Sequence, residues 1–533
     1  MGEPSVSSEQ NATGQELPDK IFNDPIHGTI KMHPLLVKII DTPQFQRLRH
    51  IKQLSFGYWV YPGACHNRFE HSLGVCHLAG ELAKTLRESQ PELNITKEDI
   101  LCVQIAGLCH DLGHGPFSHL YDDLLKEVCK NADKMDLKHE TRSVKMFEHL
   151  VEDTENKLKP VMEEHDLKED DRKFISELIQ GLDENSNGSR GPGKKFLYDI
   201  VANSRNGVDV DKWDYLARDC YYLGVQNNFD YRRFLRFARV CSVDGEMQIC
   251  TRDKEAQNLY DMFATRKSLH CKAFQHRVVN VIKIMVIDAL KKADDFVEIA
   301  GSGGKKFSIT KAISDMEAYT KLTDHIFEQI LYSSKEELKD SKEILMKIVK
   351  HQHYKFVGQI FLETEKKPLE MINELVELDT GKKLQKSDFS VIAVAIGYGK
   401  KKKNLINGFN FYSKDDPKKA KRIELDQVGA IPEKSEEYLI QVFWKGNEDL
   451  KKAKDCFEDW KKNYKSLPEE NKRLKLQIND LKAENEMLRQ ENEMRQKKEM
   501  LRQKKEMLRQ ENEMLRQENE MRQKKEMLRQ ENE

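Results

Sequence analysis

Apolar positions along this chain recur mainly at helical spacing. Leu35, Leu36, Ile39 and Ile40 fall on one face, the signature of a short amphipathic helix. The apolar run from Leu101 to Cys109 predicts a buried helix, and Thr96 with Asp99 supplies the capping-box pair that opens it. Amphipathic helix predominates from Lys20 to about Val297. Val240–Arg252 breaks the pattern and predicts a β-hairpin turning at Asp244 and Gly245. Gly301–Gly304 predicts a flexible break, after which helices mix with strand-like runs at 391–398 and 408–413.

These shifts divide the chain into a disordered polar leader (1–19), a helical domain (20–300), an α+β lobe (301–462) and a repetitive tail (463–533). The fold class is mainly α: a helical core, a smaller α+β C-terminal lobe and a C-terminal coiled-coil-like helix. In the tail Leu467, Leu474, Leu481 and Leu488 recur every seven residues, with Asn471, Ile478, Asn485 and Asn492 at the other seam positions. That is a zipper pattern, in which buried asparagines favour a defined register. Beyond Glu493, six-residue copies shift the stripe by one position. An oligomerisation rod awaiting an unknown partner and a merely solvated charged helix are both compatible with such a tail.

Composition narrows the setting. Of 533 residues, 89 are Lys or Arg and 90 Asp or Glu, so global charge argues for neither nucleic acid nor membrane as the main partner. No apolar run approaches the roughly 18 residues a membrane helix needs, and the N-terminus has no apolar signal core. Pro4 and Val6 do not suit myristoylation of Gly2. Ten cysteines without framework spacing read as reduced thiols of a cytosolic or nuclear protein.

The candidate chemistry lies at 101–119. His110 and Asp111 are adjacent at the end of the apolar helix, with His71 upstream and Asp211 downstream. Neutral nitrogen plus anionic oxygen suits a divalent ion of intermediate softness, Zn, Fe, Mn or Co. The four leave positions open for water and a phosphate oxygen, as a catalytic site requires. His119 is a natural proton donor to a departing alkoxide, and Asp122, three residues on, reaches it across one helical turn. His114 and His139 are extra histidines, the latter equally readable as a surface residue in a hydrophilic stretch. Arg68, Lys212 and Arg266 supply charge for phosphate, and Tyr215 is placed to meet a sugar.

The order H…HD…D is the signature of the HD phosphohydrolase superfamily. The strings K-I-F-N-D-P-I-H-G, D-T-P-Q-F-Q-R-L-R, H-N-R-F-E-H-S-L-G-V, I-A-G-L-C-H-D-L-G-H-G-P-F-S-H, N-G-V-D-V-D-K-W-D-Y and Q-N-N-F-D-Y are more specific. Over about Lys20–Lys445 the chain resembles the vertebrate family of sterile-alpha-motif and HD-domain-containing deoxynucleoside triphosphate triphosphohydrolases. The resemblance implies cleavage of a dNTP at the α-phosphate to deoxynucleoside and triphosphate, with Mg on the nucleotide phosphates. It assigns His119 as donor with Asp122 behind it. Arg68, His114, His139, Lys212, Tyr215 and Arg266 would hold the triphosphate or assist chemistry, and Gln53, Leu54, Asp219 and Gln275 would meet the sugar.

It further implies a homotetramer assembled by nucleotides. A GTP or dGTP pocket would use Lys20, Ile21, Asp41, Gln46 and Arg49. A dNTP pocket would use Asn23, Arg233, Arg252, Lys254, Asn258, Lys272, His276 and Arg277. Lowered dNTP pools in antiviral restriction, replication, repair or innate immunity, in nucleus or cytoplasm, are expectations of the same kind. The chain departs from the family in having only nineteen residues where a sterile-alpha-motif domain would stand. Phe274 replaces a tyrosine, Lys272 an arginine, and Lys400–Lys403 is the one basic run suited to nuclear import. Cys241 and Cys250 flank the predicted hairpin turn, as a redox pair or as two buried thiols. Two rival functions stand beside the triphosphohydrolase: an HD phosphodiesterase, and a scaffold binding single-stranded nucleic acid.

Overall fold

The computed structural model describes residues 20–129, 137–183, 186–381, 383–397, 408–423, 436–446 and 448–466. The predicted leader, the heptad repeats and Lys400–Lys403 lie outside them. The chain divides into two compact units, Met1–Phe457 and Glu458–Glu533, and every predicted site residue falls in the first. Among the described residues no helix is long and apolar enough to cross a membrane.

A hairpin opens the described fold, β1 (Lys20–Asp24) against β2 (Gly28–Met32). The short helix Pro34–Ile40 follows and buries the predicted face, Leu35, Leu36, Ile39 and Ile40. Two antiparallel partners then form the centre, α1 (Arg68–Ser89) and α2 (Lys97–Cys109). The predicted capping box opens α2: the Asp99 amide donates to Thr96 Oγ1 at 3.1 Å and the Thr96 amide to Asp99 Oδ2 at 3.0 Å. Such caps contribute about 1 kcal/mol each. Helix α2 is apolar nearly all round and buried from Ile100 to Cys109 apart from Gln104, as a helix at the middle of a core must be. Gly107 lets the pair approach; a Cβ there would sit 3.1 Å from the Val75 carbonyl. That contact brings the start of α1, with Arg68 and His71, beside the end of α2, with His110 and Asp111.

Helices α3 (His119–Val128), α4 (His139–Glu152) and α5 (Val210–Leu223) close around this end. Strands β3 (Arg239–Val243) and β4 (Glu246–Arg252) form the predicted hairpin, with Asp244 and Gly245 at φ 51° and 87°, as a tight two-residue turn demands. Helices α6 (Ala256–Leu269) and α7 (Arg277–Ala293) are joined by a π-helical turn at His270–Phe274. The glycine run predicted as a flexible break is a tight turn instead, linking the short antiparallel strands Ile299–Ala300 and Lys306–Phe307. Gly303 and Gly304 take φ 62° and 75° there. A Cβ on Gly301 would strike the Phe307 ring at 2.6 Å, so glycine serves close packing and turn geometry rather than freedom.

The α+β lobe carries a three-stranded antiparallel sheet in the order β5 (Lys355–Leu362), β7 (Glu436–Trp444), β6 (Phe389–Gly397). It packs within the same compact unit as the helical domain. Gln441 on the central strand reaches Asn280 of α7 at 2.8 Å.

Candidate active site

His71 lies one turn into α1, His110 caps α2, Asp111 follows it, and Asp211 lies in the first turn of α5. His71 Nε2 is 3.1 Å from Asp211 Oδ1 and 3.6 Å from Asp111 Oδ2, and His110 Nε2 is 3.4 Å from Asp111 Oδ1 and 3.5 Å from Asp211 Oδ1. Three distant segments therefore bring donors of His71, His110 and Asp211 within 4.8 Å of one another, with Asp111 beside them.

The far side of each ring is committed. His71 Nδ1 meets Asp214 Oδ2 at 2.7 Å, and His110 Nδ1 donates to the Gly107 carbonyl at 2.8 Å. Both Nε2 atoms thereby face the common point, that of His71 at hydrogen-bond distance from Asp211. His110 Nε2 is buried and has no hydrogen-bond partner, which is costly unless something else binds it. Asp111, Asp211 and Asp214 crowd the pocket with negative charge. Although burial opposes it, Asp211 and Asp214 push the His71 pKa up to about 10, the signature of a pocket that calls for a positive charge. The residues fit a divalent cation.

Asp214 and its supports are absent from the motif-based set. Its Oδ1 meets His27 Nε2 at 2.7 Å, and Arg218, fully buried, bonds both its oxygens at 2.8 and 2.9 Å and reaches Asp24 Oδ2 at 2.9 Å. Burial alone would raise the Asp214 pKa; Arg218, His27 and His71 hold it well below the carboxylate range. The D-x-x-D spacing of Asp211 and Asp214 was the available signal, since residues three apart share a helix face.

Beside the four donors stands a second histidine group. His119 Nδ1 and His139 Nδ1 approach the same oxygen, Asp122 Oδ2, at 3.4 and 3.1 Å, while Arg142 bonds Oδ1. The His114 and His139 rings stack with centroids 4.1 Å apart, and His119 stands edge-on to both. His139 thus faces the cleft rather than open solvent. His119 keeps its side chain 66 % exposed, where a substrate can reach it, whereas Asp122 is 8 % exposed. Burial would raise the Asp122 pKa, but the hydrogen bonds from His119 and His139 hold it far below the usual range. Arg142, fully buried, also donates to Gly113 and the Tyr319 hydroxyl, both at 3.1 Å.

The loop that launches His119 is strained: Phe117 and Ser118 have φ 61° and 60°, each costing about 1–3 kcal/mol. Asp324 holds it, accepting from the Phe117 amide at 2.6 Å and the Lys52 amide at 2.8 Å. Ser118 Oγ donates to the Lys52 carbonyl at 2.6 Å. One half-buried carboxyl thus couples the loop before His119 to the segment carrying Gln53 and Leu54.

The residues expected to meet phosphate and sugar are placed as follows. Arg68 is buried and bonds Asp111 Oδ2 at 2.7 Å and Ser118 Oγ at 3.0 Å. Lys212 Nζ rests on Asp209 at 3.1 Å. Burial raises the Tyr215 pKa, and Arg266 reaches the Gly397 carbonyl of β6 at 3.3 Å. Asp219 is held by His66 at 2.7 Å, and Gln53 Oε1 is buried without a partner. Gln275 is fixed by Asn280 and Gln441 at 3.0 Å each, so the lobe braces this residue. The π-helical turn adds His270, whose Nδ1 is buried and unpaired and whose ring meets Phe274 at 5.0 Å. Burial, then Arg266, pushes its pKa down to about 3. No motif marked it.

The two predicted activator sets differ in compactness. Lys20 pairs with Asp41 at 3.2 Å, Gln46 bonds the Ile40 carbonyl and Arg49, and Ile21 is 65 % exposed beside them. The second set falls into patches. Arg233, Arg252 and Lys254 stand over Phe237, with Asn258 bonded to Asp230 and Glu255. Lys272 and His276 lie against Tyr61, Arg277 over Phe356, and Asn23 on β1. Cys241 and Cys250 are buried free thiols.

Residues 68–219 match the HD domain family. Over 463 residues the chain is 55 % identical to the zebrafish (Danio rerio) deoxynucleoside triphosphate triphosphohydrolase SAMHD1, covering 83 % of this chain and 74 % of that one. The human protein of that name is 53 % identical over 461 residues, with 83 % and 73 % covered. A Dictyostelium discoideum homologue is 36 % identical over 453 residues, with 84 % and 82 % covered.

Proposed function

The chain belongs to the SAMHD1 family of deoxynucleoside triphosphate triphosphohydrolases, and on that premise we propose that it converts a dNTP to deoxynucleoside and inorganic triphosphate. The observation that carries this reading is the pairing of two sites: the His71 and His110 ring nitrogens converging on Asp211, that of His110 unpartnered, and beside them an accessible histidine backed by a buried carboxylate.

His71, His110, Asp111 and Asp211 would hold the divalent ion, which when bound supplies charge stabilisation to phosphoryl oxygens and a water of lowered pKa. Zinc, iron and manganese all suit this donor set. Arg68, Lys212 and Arg266 bind the triphosphate, together with its Mg. His119 delivers a proton to the departing 5′ oxygen, and Asp122 steadies the imidazolium before transfer. Gln53, Leu54, Asp219, Tyr215 and Gln275 enclose the sugar, and a 2′-hydroxyl in so close a wall must clash or lie buried without a partner.

Activation follows the same premise. Lys20, Ile21, Asp41, Gln46 and Arg49 read guanine and phosphate of GTP or dGTP, and Asp41 accepts from the guanine N1 and N2 donors. The second set is scattered in patches within one chain, so a dNTP activator is best accommodated between chains, and a ligand that binds only a homotetramer stabilises it by mass action. Lowered dNTP pools, in nucleus or cytoplasm, would be the cellular consequence. The test is product identification from dATP, with and without GTP, alongside metal analysis. Triphosphate formed only with a guanine nucleotide is the expected outcome; monophosphate, or opening of a cyclic nucleotide, overturns the reading.

A further inference from the structure

We propose that His114, His119, Asp122 and His139 constitute a second transition-metal site, fitted to Zn2+, whose filling silences the proton donor. The consequence for turnover rests on His119 being that donor; the binding itself does not.

Three imidazoles and one carboxylate are a zinc-type donor set. One ligand atom from each lies within 4.8 Å of the others. A tetrahedral zinc with bonds of 2.0–2.1 Å separates its ligand atoms by about 3.3 Å. The two measured edges straddle that value: Asp122 Oδ2 is 3.4 Å from His119 Nδ1 and 3.1 Å from His139 Nδ1.

The surrounding bonds orient the donors as they do at the first site. Arg142 occupies Asp122 Oδ1, which leaves Oδ2 facing the rings. His114 Nε2 lies 3.3 Å from Asp111 Oδ1, and its Nδ1 is buried with no partner. As at His110, an anchored ring nitrogen backs a buried one that has no hydrogen-bond partner. His114 is 1 % exposed and His139 22 %, while the exposed His119 edge leaves the site open to entering ions. A cation here displaces the Nδ1 protons of His119 and His139 and takes the carboxylate that steadies the imidazolium. His119 then keeps only the Nε2 proton of a neutral, metal-bound imidazole, which is a far weaker acid than the imidazolium that serves as donor.

The test uses the full chain carrying its resident metal, dialysed against increasing free Zn2+, with zinc content and dNTP turnover read together. One further zinc per chain is expected, with turnover falling at least tenfold as it binds. Dialysis against a chelator that leaves the Asp211-dependent metal in place should restore activity. H139Q should lose the additional zinc and keep the first metal. Asp211→Asn should do the reverse, losing the first and keeping the second. Failure to take up the extra zinc, or its undiminished retention in H139Q, overturns the proposal. Absence of any Asp211-dependent metal would instead overturn the reading of the catalytic centre.

Discussion

The metal pocket and the proton-donor group are built from nearly the same side chains, histidine and aspartate in each, yet the bonds around those side chains give them different chemistry while the second group holds no cation. At the pocket, Asp214 and the Gly107 carbonyl take the outer nitrogens of His71 and His110, so the inner nitrogens converge on Asp211, that of His110 with no hydrogen-bond partner. At the donor group, one carboxylate takes the nitrogens of His119 and His139, and His119 presents its remaining edge to solvent. The first arrangement calls for a cation; the second holds and releases a proton. Residue type proposes a chemistry, and the partner on the far nitrogen selects it.

Substitutions can break this contrast in turn. The largest effect is expected from Asp211→Asn, which removes an anionic ligand at the convergence point. Metal content should fall to background and turnover by roughly 10^3-fold or more, since the ion supplies several kcal/mol; measured metal and kcat check both. His119→Ala should lower kcat by about 10^2–10^4-fold with metal content unchanged, the result that separates the two groups most cleanly. Asp214→Asn should weaken metal affinity or activity by about 10–100-fold, measured by chelator competition. Gly74→Ala attacks the same brace without touching a polar group. Its Cβ would fall 1.8 Å from Asp214 Oδ1, so the expected loss of metal affinity should match that of Asp214→Asn.

The smallest effect concerns pH. Burial pushes the Asp324 carboxyl up to about 7, against the pull of the Lys52 and Phe117 amides. A raised folded-state pKa means that the native chain keeps a proton the unfolded chain gives up. That contribution is complete below about pH 4 and is lost as pH rises through 7. Melting temperature should therefore decline across this window in the wild type, and Asp324→Asn should flatten the slope by a few degrees.

Much of this was legible in the sequence. Leu35–Ile40, the Thr96–Asp99 cap, the Asp244–Gly245 turn and the strand-like run from 391 to 397 reappear as observed elements, because each depends on neighbours within a few residues, whereas only Phe411–Tyr412 of the run at 408–413 is strand. The glycine run at 301–304 was misread for a matching reason: φ and the approach of Phe307 are not written in composition. At the site, the spacing of His71, His110, Asp111 and Asp211 was visible as a motif. His27, Arg142 and Asp324 were not, because each acts through a partner remote in the chain; Arg218 joins Asp214 to the distant Asp24, and His270 is set by a π-helical turn that periodicity does not announce. His27 meets Asp214 across 187 residues and Asp324 meets Phe117 across 207.

The sequence by itself determined which chemistry was available: imidazole and carboxylate for a divalent ion, a histidine for proton transfer, cations for phosphate, and helices to carry them. Tertiary structure alone decided which nitrogen of each ring is bare, which carboxylate is an anchor and which a ligand, and which strained loop is held. Those choices are made by hydrogen bonds and burial between segments far apart along the chain, and only a packed core brings such segments within 3 Å of one another.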